Sequence, residues 1–250
     1  MSTPGILAIA LGAPLALVAL WQVFVTPRLR QGPAGDTGVT FVWILLRFYA
    51  RVVHRLRVEG REHLVDLKGP LVVVCNHSSP LDPFLVQSAT SIFIRWMMAT
   101  DQMPPDSAML WQFSRVIPTE RHQPAPRAAI TAIRLLRQGG VVGVFPEGRL
   151  ARPAGRVLPF HDGVGELVAR TNARVLLACV QGTPVTDSIG AAFLRPSHTR
   201  LRFLGVLSWP EGTEPTAITT SLRDRIVEAS GWLPVEEVQP LSPPGDPFLT

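Results

Sequence analysis

A histidine and an aspartate five residues apart, His77 and Asp82, follow an apolar run at 71–75. A carboxylate bonded to one ring nitrogen of a histidine fixes the tautomer and stabilises the imidazolium, so the other nitrogen can take a proton from a hydroxyl. On a continuous helix the two side chains would point about 140° apart. Pro80 disfavours helical backbone at Ser79, and we therefore expect a turn that folds the carboxylate back beneath the ring.

A simpler interpretation of this pair stays open. Asp82 followed by Pro83 is typical of a helix N-cap with a proline in the first turn, and His77 would then be an ordinary turn residue. The sequence contains no Gly-x-Ser-x-Gly elbow and no histidine pair at metal-ligand spacing. A histidine–aspartate pair without its own nucleophile indicates that the substrate supplies one. An alcohol that attacks a thioester fits that description.

The elements that must position the pair indicate an α/β domain, with a mostly parallel sheet flanked by helices. Uninterrupted apolar runs rich in β-branched residues favour buried parallel strands, and they alternate with helical stretches. Strands are predicted at 71–75, 93–99, 115–118, 141–145, 175–180 and 201–207, and helices near 83–90, 106–114, 125–139, 161–171 and 216–230.

Three of the loops at the predicted strand ends carry polar residues: "NHSSPLD", "PTERH" and "PEGRLAR". Ligands of open α/β sheets bind at the carboxyl ends of strands. Arg121 and Arg149, in the second and third loops, would form an anion pocket suited to phosphate. Arg152 and Arg156 are expected to be solvated surface charges.

Residues 5–25 carry no charged side chain, and at ~1.5 Å per residue a helix of this length matches the ~30 Å core of a bilayer. A secretory signal peptide is disfavoured, because no positive side chain precedes the segment and no small-residue cleavage site follows it. Arg28 and Arg30 on the C-terminal flank place the rest of the chain on the cytoplasmic side. Whether the segment spans the membrane or only embeds in it stays open.

Residues 39–58 predict a second membrane element, an amphipathic helix at the bilayer interface. Arg47, Arg51, His54 and Arg55 recur at helical spacing and form one polar stripe beside aromatic and aliphatic residues. The alternative is a core helix with one wet edge. The chain thus divides into membrane-anchoring helices at 1–58, an α/β domain at 59–232 and a proline-rich tail at 233–250, expected to be extended or disordered.

The composition agrees with a membrane location. Hydrophobic residues make up 46% of the chain and charged residues 17%, against roughly 25% charged in soluble domains. The net charge of +5 suits anionic lipids or phosphorylated substrates; nucleic acid is disfavoured, because the arginines cluster beside apolar runs. Cys75 and Cys179 lie in apolar runs and are predicted to be buried and reduced, which suits the cytosolic side.

Taken together, the motifs resemble those of the glycerolipid acyltransferases, a family that includes 1-acylglycerol-3-phosphate O-acyltransferase. "NHSSPLD" matches the family's N-H-x-x-x-x-D signature, and "VFPEGR" resembles its phenylalanine-proline-glutamate-glycine block. "VIPTER" resembles the block that ends in an arginine, and "RLRVEGREHL" is typical of what precedes the first block. Order and spacing agree over roughly residues 40–210.

The resemblance implies a membrane-bound acyltransferase. His77 would be the general base that deprotonates the acceptor hydroxyl, and Asp82 would orient it. The hydroxyl would attack the thioester of acyl-CoA or acyl carrier protein, with no cofactor and no metal. The residues that match the blocks binding the phosphate of the acceptor lipid are Arg121, Glu147, Gly148 and Arg149.

The departures from the family pattern lie in the acceptor-binding half. The family form is "FPEGTRS", whereas this chain has "FPEGRLA", with Arg149 at the threonine position and Leu150 at the arginine position. Arg149 or Arg152 is the alternative source of the positive charge that the family arginine supplies. The later phenylalanine-lysine-x-glycine segment is replaced by residues 160–163, "FHDG". Lysophosphatidic acid is the default acceptor, and another lysolipid or an amino-acid-derived lipid is the alternative. A non-catalytic membrane lipid-binding protein and a hydrolase or transacylase are the rival functions.

Overall fold

A computed structural model describes residues 26–29, 32–103, 108–120 and 126–236 of the chain. Within these ranges a seven-stranded sheet lies between two layers of helices. The strands are β1 Arg57–Glu59, β2 Leu71–Cys75, β3 Arg95–Ala99, β4 Ile117–Thr119, β5 Val141–Val144, β6 Arg156–Val157, β7 Arg174–Gln181, β8 Arg200–Leu207 and β9 Leu233–Pro234. The helices are α1 Thr26–Leu29, α2 Thr37–Val52, α3 Asp82–Ala89, α4 Ala108–Ser114, α5 Pro126–Arg137, α6 Gly163–Thr171, α7 Ile189–Leu194 and α8 Pro215–Ser230.

The order of strands in the main sheet is β1-β8-β7-β2-β5-β3-β4, and every neighbouring pair is parallel except β7 with β8. Strand β2 is fully buried and lies at the centre, between β5 and β7. The loops that follow β2, β5 and β7 therefore lie side by side at the carboxyl edge of the sheet. Strands β6 and β9 form a separate parallel pair.

The core has two halves because alternate residues of each strand face opposite sides of the sheet. Val72 and Val74 of β2 pack with the apolar faces of α5, α6 and α8. Leu71, Val73 and Cys75 pack on the other side, with α3 and residues of β1, β3 and β8. Burial on both faces explains why β2 is apolar throughout instead of alternating with polar residues.

The predicted mostly parallel sheet with flanking helices is confirmed. Each of the six predicted strands lies within two residues of an observed strand, and the predicted helices match α3, α4, α5, α6 and α8. Strands β1, β6 and β9 and helix α7 were not predicted. Strand β1 lies across the expected boundary between 58 and 59. Helix α2 is tied to the domain by Trp43, whose Nε1 donates to the backbone oxygens of Gln87 (3.1 Å) and Thr90 (2.8 Å).

The helix predicted at 39–58 is shorter than expected and its polar stripe is smaller. The N-cap of α2 is Asp36, whose Oδ1 accepts from the backbone N–H of Val39 at 2.9 Å, and the helix ends at Val52. His54 is buried beyond that end, with its ring between the hydroxyls of Tyr49 (2.7 Å) and Ser197 (2.8 Å). Burial lowers the pKa of His54, so this residue does not belong to an exposed cationic stripe.

The predicted membrane segment at 5–25 lies outside the described residues. Among those described, no helix is both long and apolar enough to cross a bilayer. In the predicted tail, Leu233 and Pro234 pair with β6, Val235 and Glu236 contact Arg223 of α8, and 237–250 lie outside the described residues. Cys75 and Cys179 are buried free thiols, as predicted, and burial raises the pKa of Cys179 to about 11.

Candidate active site

The loop that carries His77 begins with an asparagine that extends the strand pairing of β2 by means of its side chain. Oδ1 of Asn76 accepts from the backbone N–H of Val180 at 2.8 Å, and its Nδ2 donates to the oxygen of the same residue at 2.9 Å. A side-chain amide offers the same donor and acceptor as a peptide group. Asn76 therefore fixes the start of the loop to β7. Sequence reasoning missed this role, although a polar amide directly after a buried strand was visible.

Asp82 lies beneath the His77 ring, as the turn at Pro80 predicted. One carboxylate oxygen, Oδ2, is 3.1 Å from His77 Nδ1 and also accepts from the backbone N–H groups of Ser78 (2.7 Å) and Ser79 (2.8 Å). Asp82 is fully buried and is the first residue of α3. Its carboxylate accepts from the turn that precedes the helix and makes no capping hydrogen bond to the helix itself. The alternative interpretation of Asp82 as an N-cap is therefore wrong.

The geometry of the pair suits a general base. A proton on Nδ1 satisfies the contact with the carboxylate and leaves Nε2 as the acceptor nitrogen. No described residue hydrogen-bonds to Nε2 of His77. Its side chain is 18% exposed and lines a cleft at the carboxyl edge of the sheet. Nε2 can therefore accept a proton from a substrate hydroxyl.

The plane of the imidazole is held by a stack of rings. The His77 ring lies on that of Phe145, with centroids 4.0 Å apart and an angle of 16° between the planes. Phe145 in turn lies on Trp96, at 4.5 Å and 11°. Phe145 follows β5 and Trp96 belongs to β3, so two strands on one side of β2 set the orientation of the base. This role of Phe145 was also missed, because ring stacking between distant segments leaves no sequence pattern.

Glu147 supports the backbone of His77. Its Oε1 accepts from the backbone N–H of His77 at 2.8 Å, and its Oε2 from that of Leu158 at 3.1 Å. The residue is 2% exposed, and burial raises its pKa to about 8 against the opposing effect of these two N–H groups. This placement differs from the predicted contact with an acceptor phosphate, because both oxygens already accept hydrogen bonds from backbone N–H groups.

Of the other three residues predicted to bind the acceptor phosphate, the structure describes Gly148 and Arg149. Gly148 has φ of +66°, and a Cβ at this position would lie 2.9 Å from atoms of the His161 ring. Glycine therefore lets His161 lie against the loop beside the cleft. Arg149 is half-buried at the next position, and Arg121 lies outside the described residues. The roles of Gly148, Arg149 and Arg121 at a phosphate stay predictions.

The cleft beside His77 is large and mostly apolar, with a volume of about 1230 Å³. It extends from helix α2, past the ends of β3 and β5, to helices α5 and α6. A space of this size and character can hold an acyl chain with its reacting end at the imidazole. Representative lining residues are Trp43, Leu46, Phe84, Met97, Ile133 and Leu150. Across the described ranges, no group of three or more His, Cys, Asp or Glu side chains is arranged to hold a metal ion.

Comparison with known proteins identifies the family. A sequence model of the family described as Acyltransferase matches residues 55–185, more than half of the chain. The chain belongs to the Acyltransferase family. The match contains the His77 and Glu147 loops of this acyltransferase, so the resemblance that the motifs indicated is confirmed.

A solved structure shares the fold of this acyltransferase. It is the 1-acyl-sn-glycerophosphate (LPA) acyltransferase PlsC from Thermotoga maritima, with a TM-score of 0.64 and 18% sequence identity. The alignment covers 87% of this chain and 91% of that one. At this level of identity the likeness establishes the fold alone.

Proposed function

We propose that this acyltransferase moves a fatty acyl group from a thioester of CoA or acyl carrier protein to the free hydroxyl of a lysophospholipid. The first-choice acceptor is 1-acylglycerol-3-phosphate, and the product is then phosphatidic acid. The observation that carries the proposal is the His77–Asp82 pair at 3.1 Å, on the wall of a cleft large enough for an acyl chain. The similar protein from Thermotoga maritima is an LPA acyltransferase, which supports the choice of acceptor.

The proposed reaction is a direct transfer with His77 as general base. Nε2 takes the hydroxyl proton while the acceptor oxygen attacks the thioester carbonyl carbon. The tetrahedral intermediate then collapses, the carbon–sulfur bond breaks, and the leaving thiolate takes the proton from the imidazolium. Asp82 stabilises the imidazolium, and a positioned base contributes about 10²–10⁴-fold to the rate. The thioester is a substrate, so the transfer requires no cofactor.

The environment of Ser78 supports transfer without a covalent acyl-enzyme. Its hydroxyl lies next to the base in sequence, but it is buried and 3.0 Å from the hydroxyl of Thr183. A serine nucleophile needs its hydroxyl on the base nitrogen and open to the substrate. Nδ1 of His77 already faces Asp82, and among the described residues no serine hydroxyl bonds the other nitrogen. The acceptor hydroxyl is therefore the nucleophile that the site can activate.

We also propose that the acyltransferase acts at the membrane, with its catalytic domain on the cytoplasmic side. Helix α2 exposes large apolar side chains along one side, with Arg47 and Arg51 beside them, as expected for a helix at an anionic bilayer surface. Other side chains of α2, including Trp43 and Leu46, line the cleft. A lipid acceptor could therefore pass from the bilayer to His77 along this helix. The exposed apolar residues are Phe41, Val42, Ile44, Leu45, Phe48 and Val52.

The test is acyl transfer measured by lipid mass spectrometry with the full chain in membranes. Acyl-CoA and acyl carrier protein are supplied as donors to a panel of lysolipid acceptors. We expect His77→Ala to lose at least about 10²-fold in rate and Asp82→Asn to lose a similar or smaller factor. His63→Ala is the matched control, since this histidine lies outside the cleft lining; it should keep wild-type activity.

Other outcomes favour the rival functions. Full activity of a folded His77→Ala variant would contradict the mechanism. Lysolipid binding without turnover, across all donors and acceptors, would indicate a lipid-binding protein. Thioester consumption that does not depend on the acceptor would indicate a hydrolase.

A further inference from the structure

Arg152 was expected to be a solvated surface charge, but every N–H of its guanidinium group is engaged. Nη1 donates to the backbone oxygens of Ser78 (2.9 Å) and Ala151 (2.9 Å). Nη2 donates to the oxygen of Thr186 (3.0 Å) and to the carboxylate of Asp187, which Nε also contacts at 3.1 Å. A guanidinium group has five N–H donors, and these five bonds use all of them. Arg152 therefore has no donor left for a substrate phosphate.

The partners of Arg152 place it behind the turn that carries His77. The carbonyl of His77 accepts from the N–H of Ala151 at 2.7 Å, and the carbonyl of Ser78 accepts from Arg152. The N–H groups of the same two peptide units belong to Ser78 and Ser79, and both donate to Oδ2 of Asp82. Each peptide unit of the turn is thus bonded at its carbonyl to the 151–152 segment and at its N–H to Asp82.

We propose that Arg152 is a positioning residue of the catalytic pair. Its cation polarises the Ser78–Ser79 peptide and strengthens the hydrogen bond that this peptide donates to Asp82. Because that bond ends on Oδ2, the oxygen beneath His77, Arg152 fixes the carboxylate that orients the base. Its hydrogen bonds to Thr186 and Asp187 also connect the loop after β7 to the Ser78–Ser79 peptide. This inference rests on the proposed function, since it assigns Arg152 to the catalytic step.

The first test is Arg152→Met, which keeps much of the length of the side chain and removes all five donors. We expect kcat to fall by about 10- to 100-fold, because small displacements of a catalytic group cost rates of this order. The KM for the acceptor should stay within about twofold. The loss should be the same for a lysolipid with a phosphate monoester and for a zwitterionic lysolipid, since Arg152 contacts neither headgroup.

Two further variants bracket this result. Arg152→Lys keeps a cation that can reach the Ser78 carbonyl, so its kcat should lie between those of the wild type and Arg152→Met. Arg156→Met makes the same chemical change four residues later, at an arginine of β6 whose side chain forms no hydrogen bond or ion pair with the described residues. Its kcat should stay at the wild-type value. If Arg152→Met does not fold, Arg152→Lys carries the same measurements, with a fall of several-fold in kcat expected.

A second measurement does not need turnover. Diethyl pyrocarbonate modifies accessible histidine rings, and peptide mass spectrometry gives the modification rate at His77, with exposed His161 as internal reference. We expect faster modification of His77 in Arg152→Met than in the wild type or Arg156→Met, because the ring loses its support. If the wild type transfers no acyl group, the proposed function fails and this comparison still decides the positioning role.

Two results would overturn the proposal. A rise in KM confined to phosphate-bearing acceptors, with kcat unchanged, would make Arg152 a phosphate ligand. Unchanged kcat and unchanged modification of His77 would make it a surface residue without a role at the site.

Discussion

His77 is held from four directions, and each contact fixes a different degree of freedom. Phe145 sets the ring plane, Asp82 sets the tautomer, Glu147 binds the backbone N–H, and Ala151 binds the backbone oxygen. In the proposed role of general base, a histidine held in this way starts the reaction near its productive geometry, without an entropy cost at each turnover. These contacts join the loops after β2 and β5, so the site depends on the register of the central sheet.

Glu147 makes the free energy of unfolding of the protein depend on pH. Its pKa is about 8 in the folded protein against an ordinary value of 4.5. Between these values the folded protein keeps a proton that the unfolded chain releases. The free energy of unfolding therefore falls as the pH rises from about 4.5 to about 8, and it levels off above that range. A shift of this size corresponds to a few kcal/mol.

We expect Glu147→Gln to remove this contribution, because glutamine does not titrate. Urea denaturation between about pH 5 and 8 would show a shallower fall of unfolding free energy in this variant than in the wild type. Glu166→Gln, at an exposed glutamate of α6, is the control and should keep the wild-type slope. The assignment fails if Glu147→Gln and the wild type lose stability in parallel.

The elements that the sequence predicted well are those whose burial requires a recognisable run of apolar residues. Strands β2, β5 and β7 are buried on both faces, and an uninterrupted apolar run records that directly. Strands β1, β6 and β9 span two or three residues each and include arginine, glutamate or proline. They are extended because a distant partner pairs with them, so no short stretch of sequence predicts them.

The same distinction applies to the site. His77 and Asp82 were predictable as a pair, because Pro80 lies between them and forces a turn. The roles of Asn76, Glu147 and Arg152 were not, because their side chains bond to the backbone of segments 70 to 104 residues away. A side chain that binds a distant peptide group leaves no spacing that identifies its partner. Motif resemblance located the Glu147 block but indicated substrate contact there.

Helix α2 yields a prediction about membrane binding. Phe48 is 69% and Leu45 is 52% exposed on its apolar side, and burying such side chains in the interface favours binding by up to about 1.5–3 kcal/mol each. In a chain that lacks residues 1–25, we expect Leu45→Glu with Phe48→Glu to weaken binding to anionic vesicles at least about tenfold. Sedimentation with vesicles measures the binding.

Val65→Glu is the matched control for this experiment. Val65 is 71% exposed but lies outside α2, so the new charge should leave vesicle binding unchanged. Equal binding of the α2 variant and the parent chain would show that this helix does not contact the bilayer.

At the scale of the whole molecule, the C-terminal strand is linked to the loop that carries His77. The N–H of Val235, just after β9, donates to the oxygen of Val157 in β6 at 2.9 Å. The next residue, Leu158, donates to Glu147, which supports His77. Arg223 of α8 holds the other side of the strand, with Nη2 on the oxygen of Val235 at 2.8 Å. Strand β9, at the C-terminal end of the described chain, therefore supports both the fold and the loop that carries His77.

Two truncations separated by four residues test this link. A chain that ends at Glu236 keeps β9 and its contacts with Arg223, including the Arg223–Glu236 ion pair at 3.3 Å, and should match the full chain. A chain that ends at Trp232 loses β9 and leaves the mostly buried Arg223 without these acceptors, at a cost of about 1–3 kcal/mol. We expect its Tm to fall by several degrees, at ~2–4 °C per kcal/mol, and its kcat to fall several-fold because Leu158 and Glu147 lose their support.

Calorimetry and the acyl-transfer assay measure the two effects. Equal melting and equal activity of the two truncated chains would show that β9 only covers the surface.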